Sequence, residues 1–428
     1  MPRPPLPPSL YAATARPAPP TPPLDGDASV DVLVIGGGFT GLSTALHLAE
    51  GGTRVMVLEA AEPGWGASGR NGGQVNPGLK WDPDQVERDF GPELGGRMIR
   101  FAWGAPDTAF GIIRRWQIEC DARQGGTMRA AYHPRQAEVL KGSAEQGMKR
   151  GLPVTLLDRQ ASRAATGHDR YVAMMLDASG GDVQPLDYAR GLAGAAMRAG
   201  ATVHGDTRVT ALAREGSFWR ATTPSGTVRA DKVLLATNGY TDDLWPGLRR
   251  TVVPAYSAIA ATESLPDDVV AGIMPHRGSV YEIGNITVYL RVDQRNRLLI
   301  GGRGPQRPID GHGDIQWMVD YGVKLWPQLR GAAWEFGWSG QVAITKDHYP
   351  HIHEPAPGLY ICLGYNGRGV ALSSAMGGEI AKLATGTPAR DIAMPVTAID
   401  KPFAFHGFWK LGVHAKVMEG RIRDRFGM

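Results

Sequence analysis

The sequence predicts an α/β fold: a discontinuous Rossmann-like domain, with a second, antiparallel-sheet domain built from segments inserted into it. Three observations predict it. Residues 31–60, DVLVIGGGFTGLSTALHLAEGGTRVMVLEA, read as strand, glycine turn, helix and strand. Further strand and helix blocks resume near residue 183 and again in GLYICLGYNGRGVALSSAMGGEIAKLATG at 358–386. Between them, residues 252–303 alternate in polarity as antiparallel strands do. The expected division is a proline-rich arm at 1–28, nucleotide-domain parts at 29–124, 183–251 and 336–394, second-domain parts at 125–182 and 252–335, and a tail at 395–428.

Each element has its own warrant. MPRPPLPPSLYAATARPAPPTPPLDGDA is mostly Pro, Ala and Thr. Missing N–H donors keep it out of sheet and helix interiors, so an extended arm laid over the surface by Leu10 and Tyr11 is expected, with a docking motif for a proline-reading partner as the alternative. Val32–Ile35 is an unbroken apolar run, as in a strand buried on both faces. Leu42, Ala45, Leu46 and Ala49 follow at helical spacing, Gly51-Gly52 ends the helix, and RVMVLEA is the next parallel strand. Residues 86–124 look helical. DVQPLDYARGLAGAAMRAG reads as a helix, and the segments to residue 239 as strands. NITVYLRVDQRNRLLIGG is a hairpin turning at Asp293–Asn296.

The bulk properties set limits. The chain has 428 residues, 43% hydrophobic and 21% charged, an ordinary globular balance with room for two domains. A net charge of +4 does not announce nucleic acid. Cys120 and Cys362 form no metal or redox motif and fit a reducing compartment. There is no apolar run of transmembrane length and no signal-peptide pattern, so a cytoplasmic location is expected.

Gly36, Gly38 and Gly41 satisfy G-x-G-x-x-G between strand and helix, with Phe39 and Thr40 opening the helix. The three glycines serve a tight turn, close approach of backbone to a pyrophosphate and close helix–strand packing. The helix start offers N–H groups and a positive dipole to phosphates. Glu59, followed by Ala60, ends the second strand 18 residues after Gly41, where a carboxylate accepts from a ribose diol and repels a 2′-phosphate. This argues for a dinucleotide other than NADP and leaves NAD and FAD open. The later chain favours FAD. AAEPGWGASGRNGGQVNPG supplies small residues along an extended cofactor, and GYNGRGV at 364–370 opens a second helix whose start would stabilise negative charge on a reduced flavin ring.

The stretches SLYAATARPAPPTPPLDGD, DVLVIGGGFTGLSTALHLAE, GWGASGRNGGQ, KVLLATNGY, WSGQVAITKDHYPHI and GYNGRGVALSSAMGGEIAKL resemble the D-amino-acid oxidase superfamily of FAD-dependent amine and amino-acid oxidoreductases; GASGRNGGQ is the most specific. The resemblance implies that Glu59 holds the adenosine ribose. It places Ala67, Ser68, Arg70, Asn71, Gly72, Gly73 and Gln74 along pyrophosphate and flavin, and Val209 at the adenine. Ala236 and Asn238 would pass near the diphosphate, and Gly364, Asn366, Gly367, Arg368, Gly369 and Val370 would border the flavin ring. Some relatives attach flavin through a cysteine five residues before the threonine of a T-x-D element. Here that element is Thr345-Lys346-Asp347 and the position is Gly340. Others use a histidine near the first glycine segment, where Arg70 and Asn71 stand, so a non-covalent FAD is expected. The lysine that sarcosine-oxidase-like members use for an α-carboxylate is replaced by Ala371, and their oxygen-activating lysine is missing from RLLIGG.

These departures tilt the reading to a longer amine with its carboxylate held elsewhere. The resemblance implies that this amine is γ-glutamylputrescine or a similar ω-amine, oxidised by hydride transfer to flavin N5 with hydrolysis of the imine; the acceptor would be O2 or a quinone or other carrier. The alternatives are a D-amino-acid or N-alkyl-amino-acid oxidoreductase, a flavoprotein without catalysis, and a colourless NAD enzyme. Candidate pocket residues are Tyr289 and Arg291, on one strand face, and Arg368. Arg291 is read either as a bidentate clamp for a carboxylate or as a solvated hairpin residue, Arg368 as compensating charge on ring or substrate, and Trp338 as pocket wall or core. His348, His351 and His353 belong to a flavin-side loop, and no metal site is expected. The tail FHGFWKLGVHAKVMEGRIRDRF is read as a helix closing on the domain, with a membrane-surface helix as the alternative.

Overall fold

The computed structural model describes residues 5–309 and 311–425. The first four residues of the arm and the last three of the tail lie outside the described residues. The first sheet runs Val396–Thr397, His351–Ala356, Leu359–Leu363, Gly226–Leu235, Ala28–Ile35, Val55–Leu58, Thr202–His204. Ala28–Ile35 lies parallel to both Gly226–Leu235 and Val55–Leu58, as strands joined by crossover helices must. Helices Phe39–Glu50, Pro185–Arg198 and Gly369–Ala384 pack together on one face. Leu42, Leu46 and Leu192 are wholly buried there, each contributing about 1.5–3 kcal/mol of hydrophobic stabilisation. The other face is covered by the ribbon Ala211–Glu215 and Phe218–Thr223, with Trp219 in its core.

The second sheet runs Phe336–Ile344, Val253–Ala261, Leu298–Arg303, Tyr289–Val292, Ser279–Glu282, Thr127–Ala131, Ala173–Asp177, Val154–Leu157. Two expectations change here. The sheet is mixed, because Ser279–Glu282 pairs parallel with Thr127–Ala131 where the two inserted segments meet. Strand Phe336–Ile344 pairs along its whole length with Val253–Ala261, so the second sheet extends past the expected boundary at 336. Gln74, buried on the short two-stranded ribbon Gln74–Val75 and Gly181–Asp182, anchors that ribbon to the second sheet by donating from Nε2 to the carbonyls of Val280 (2.9 Å) and Leu290 (3.3 Å).

Both termini differ from expectation. LYAAT is free of proline between Pro8 and Pro17 and forms a short helix, Leu10–Thr14, with the Ser9 hydroxyl accepting from Ala12 N at 3.0 Å. Leu10 and Tyr11 are not laid on the surface but buried, and the Tyr11 ring meets Trp338 edge-on at 5.1 Å. Arg16 fastens the arm through Asp187 (2.7 Å) and Asp121 (3.0 Å). The tail helix Trp409–Arg425 does not close on the domain through an apolar face: Leu411, Met418 and Ile422 are about 60% exposed or more, and attachment comes through Gly420 against Ile286 and Asp424 on the Asn285 and Ile286 amides. No helix among the described residues is long and apolar enough to cross a membrane.

Candidate cofactor and substrate site

One elongated cavity of about 470 Å³ runs from the first glycine turn to the second, with the second sheet as a wall. At its near end the chain comes off strand Ala28–Ile35 into a turn that requires glycine. Gly36 has φ +111°, and a Cβ on Gly41 would stand 2.1 Å from the Gly36 carbonyl. Gly36 and Gly38 line the cavity; Gly41 does not, because its role is the close packing of helix on strand. The N-cap residue, Gly38, has no side chain to cap the helix that Phe39 and Thr40 begin, and both residues line the cavity. Glu59 is fixed by Gly37 N at 2.7 Å on one oxygen and Ala61 N at 2.9 Å on the other. Glu59 and Ala60 border the cavity. Burial pushes the Glu59 carboxyl up, and the backbone donors pull it back.

The segment after the second strand forms the long side. Ala67, Ser68, Arg70, Asn71, Gly72 and Gln74 line it. Ser68 Oγ accepts from Phe39 N at 3.0 Å, locking this segment to the helix start. Asn71 is spent on its own loop, donating to the Ala67 and Ser68 carbonyls and accepting from Gly73 N. Arg70 lies over Trp65 and Tyr240 and donates to the Tyr240 hydroxyl at 2.6 Å. Gly73 stands outside the cavity, pressed between the Val183 carbonyl and Arg291. Val209, Ala236 and Asn238 complete the near half, and Asn238 Oδ1 accepts from Gly364 N at 2.9 Å.

At the far end Asn366, Gly367, Gly369 and Val370 line the cavity where helix Gly369–Ala384 begins without a side-chain cap. Gly364 lies behind them, against Thr345. Tyr289 forms the wall from the second sheet, its hydroxyl 3.0 Å from Ser257 Oγ. Burial pushes the Tyr289 phenol up, so it stands there as a neutral hydrogen-bonding group. Gly340 is on this wall, with Arg70 Cβ as the nearest atom to a Cβ placed on it.

Two of the three pocket candidates go elsewhere. Arg291 is neither a clamp in the cavity nor solvated. It is buried, paired with Asp182 at 3.0 Å and donating to the Tyr11 hydroxyl at 3.1 Å, because the arm covers that end of the sheet face. Arg368 turns away from the cavity, donating to the Pro77 carbonyl (2.8 Å) and the Tyr281 hydroxyl (3.1 Å). Trp338 is core, with its indole N–H on the Arg70 carbonyl. His351 and His353 share a face with rings 5.2 Å apart, but His351 pairs with Asp347 and His353 with Thr397. Among the described residues no three His, Cys, Asp or Glu stand together as a metal site.

Sequence reasoning passed over Trp65, Asn76, Tyr240, Ser257, Gln341 and Tyr365, all on the cavity. Trp65 and Tyr240 lie inside or beside segments already suspect; Ser257 and Gln341 carry no local signal, since only strand pairing brings them to the site.

The residues fit FAD. A Cβ on Gly38 would meet only the Ser68 side chain, at 3.0 Å, so the turn is an open cradle of backbone. A helix start with glycine at its N-cap would face phosphates, a carboxylate stands at the strand end, and a second helix start without a side-chain cap closes the far end. Comparison with known proteins agrees. The model of the family described as DAO, FAD dependent oxidoreductase, matches residues 31–383. The chain is 34% identical over 390 residues to γ-glutamylputrescine oxidoreductase of Escherichia coli (strain K12), covering 89% of this chain and 90% of that one. It is 32% identical over 384 residues to the probable oxidoreductase OrdL of Rhizobium meliloti (strain 1021), covering 88% of each. Glycine oxidase from Geobacillus kaustophilus has the same fold, with a TM-score of 0.74 at 22% identity over 88% of this chain and all of that one. The chain therefore belongs to the DAO family and is an FAD-dependent oxidoreductase.

Proposed function

We propose that the chain oxidises the C–N bond of an ω-amine, γ-glutamylputrescine or a close analogue. The observation that carries this is the 34% identity, end to end, with a relative bearing that name, against 22% for a glycine oxidase of the same fold. When bound, FAD supplies the hydride acceptor, and the amine gives up a hydride from the carbon beside nitrogen. The protein positions and tunes. Glu59 and the two helix starts would hold the cofactor along the cavity, and the start of Gly369–Ala384 would favour negative charge on it at that end. Tyr289 and Ser257 offer paired hydroxyls on the second-sheet wall to orient a neutral amine. The imine hydrolyses in water to an aldehyde.

An α-amino-acid substrate has less support: Ala371 is buried inside its helix and Arg291 is consumed by Asp182, so neither position offers a free cation for an α-carboxylate. Anaerobic mixing of the yellow protein with γ-glutamylputrescine, putrescine, sarcosine and D-alanine, read at the flavin band, tests the reading. Bleaching by the ω-amines with aldehyde formation is expected. Bleaching by D-alanine or sarcosine alone would make it an amino-acid enzyme, and no bleaching by any amine would leave a flavoprotein of another activity.

A further inference from the structure

The cavity-facing side of the second sheet carries two arginines treated in opposite ways. Arg291 lies two residues beyond Tyr289 on its strand and is neutralised by Asp182. Arg303 lies on the other side of Tyr289: Tyr289 pairs with Gly301, and Arg303 pairs across the sheet with Ser257, whose hydroxyl meets Tyr289. Pairing fixes the face, so Arg303 emerges on the same side as the Ser257–Tyr289 wall. It is half-buried, and its guanidinium has no hydrogen bond or ion pair to any described residue. Burial lowers its pKa, and no carboxylate offsets the cost.

Lys80 completes the picture from the loop after Gln74. It too has no hydrogen-bond or ion-pair partner among the described residues. The residue is exposed, yet surrounding protein, with Arg368, Arg129 and Arg303 close by, holds its pKa down to about 8. His348, beside Trp81 at 5.9 Å, feels both Lys80 and Arg303. The acids in this quarter are engaged: Asp82 by Arg129 at 2.7 Å, and Asp347 by His351 at 3.1 Å. Arg129 and Arg368 have partners; Lys80 and Arg303 do not. Neither side chain lines the cavity itself, but Arg303 pairs with the lining residue Ser257, and Lys80 precedes Trp81, whose indole N–H donates to the Asp347 carbonyl at 2.7 Å. Two cations without a counter-charge next to the cavity offer an anion receptor, one arm a flexible point charge and the other a bidentate fork.

We propose that Lys80 and Arg303 bind a carboxylate that the substrate carries several bonds away from its oxidised amine. This rests on the amine-oxidation reading and deepens it. With the amine at the Tyr289–Ser257 wall, a remote carboxylate extends toward Arg303 and the exposed Lys80, whereas an α-amino acid, with its carboxylate on the reacting carbon, is too short to use them. The same receptor discriminates against simple diamines.

The test uses the FAD-loaded protein, with glutarate as an unreactive dicarboxylate probe followed by calorimetry and by flavin difference spectra. R303A and K80A should each weaken glutarate binding about tenfold or more, the double variant should lose it, and R303K should restore part of it. In turnover, R303A should raise KM for γ-glutamylputrescine about 10- to 100-fold and leave KM for putrescine unchanged, with kcat little altered. Glutarate binding as tight in both single variants as in the parent would overturn the assignment, as would equal losses for γ-glutamylputrescine and putrescine. If no amine is oxidised, the functional reading fails while the glutarate titration still decides the receptor.

Discussion

The two ends of the cavity are built from different materials. At the nucleotide end the contacts come from main chain and small residues: a glycine turn, a helix start and one carboxylate oriented by backbone N–H groups. At the substrate end they come from side chains on a sheet assembled from distant segments, such as Tyr289, Ser257 and Gln341. A backbone site leaves its mark in local spacing, because only glycine allows the close approach. A side-chain site depends on which strands pair, and two arginines on one face take opposite roles according to whether an acid and the arm reach them.

The sharpest way to break the contrast is at the near end. Gly38→Val places branched carbon in the backbone cradle, where the only near neighbour is the Ser68 side chain. The fold should survive, with a native circular-dichroism spectrum, while FAD affinity falls about 1000-fold, roughly 4 kcal/mol. Unchanged FAD binding would show that the turn does not face the cofactor. At the far end the largest effect should fall on stability. Asp182 holds both Arg123 at 2.8 Å and Arg291 at 3.0 Å, so Asp182→Asn strands two guanidinium groups and should cost about 3 kcal/mol in denaturant unfolding. FAD content of the folded fraction should not change. Glu59→Gln, which keeps one acceptor oxygen, should weaken FAD about tenfold by titration of the apoprotein. Smallest is Tyr11→Phe. Loss of the hydroxyl that accepts from Arg291 should cost about 1 kcal/mol, with no effect on flavin affinity, and a large activity loss instead would place the arm in the reaction cavity.

The same division explains what the sequence revealed. The glycine turn, the acid at Glu59, the parallel strands and the second helix start were legible because each rests on period or spacing within about 30 residues. The segment 67–74 was legible through its resemblance, although Gly73 proved to support Arg291 rather than line the cavity. Arg368 was misplaced because a residue at a helix N-cap can turn either way, and the Pro77 carbonyl and Tyr281 draw it toward the second sheet. Arg291 was misplaced because its partner Asp182 is 109 residues away and Tyr11 is 280 residues away. The arm was read as superficial because proline dominates its composition, while the proline-free LYAAT within it folds and buries an aromatic ring. The exposed apolar stripe of the tail helix shows the reverse case: periodicity announces a helix but not what, if anything, covers it.

The central claim is that one continuous cavity grips one FAD at both ends without a covalent bond. Acid precipitation of the purified protein, with flavin measured in supernatant and pellet, tests it directly. The account predicts a yellow protein that releases one FAD per chain into the supernatant and, once stripped, rebinds it one to one; flavin retained in the pellet, or a protein that neither contains nor takes up FAD, would contradict it.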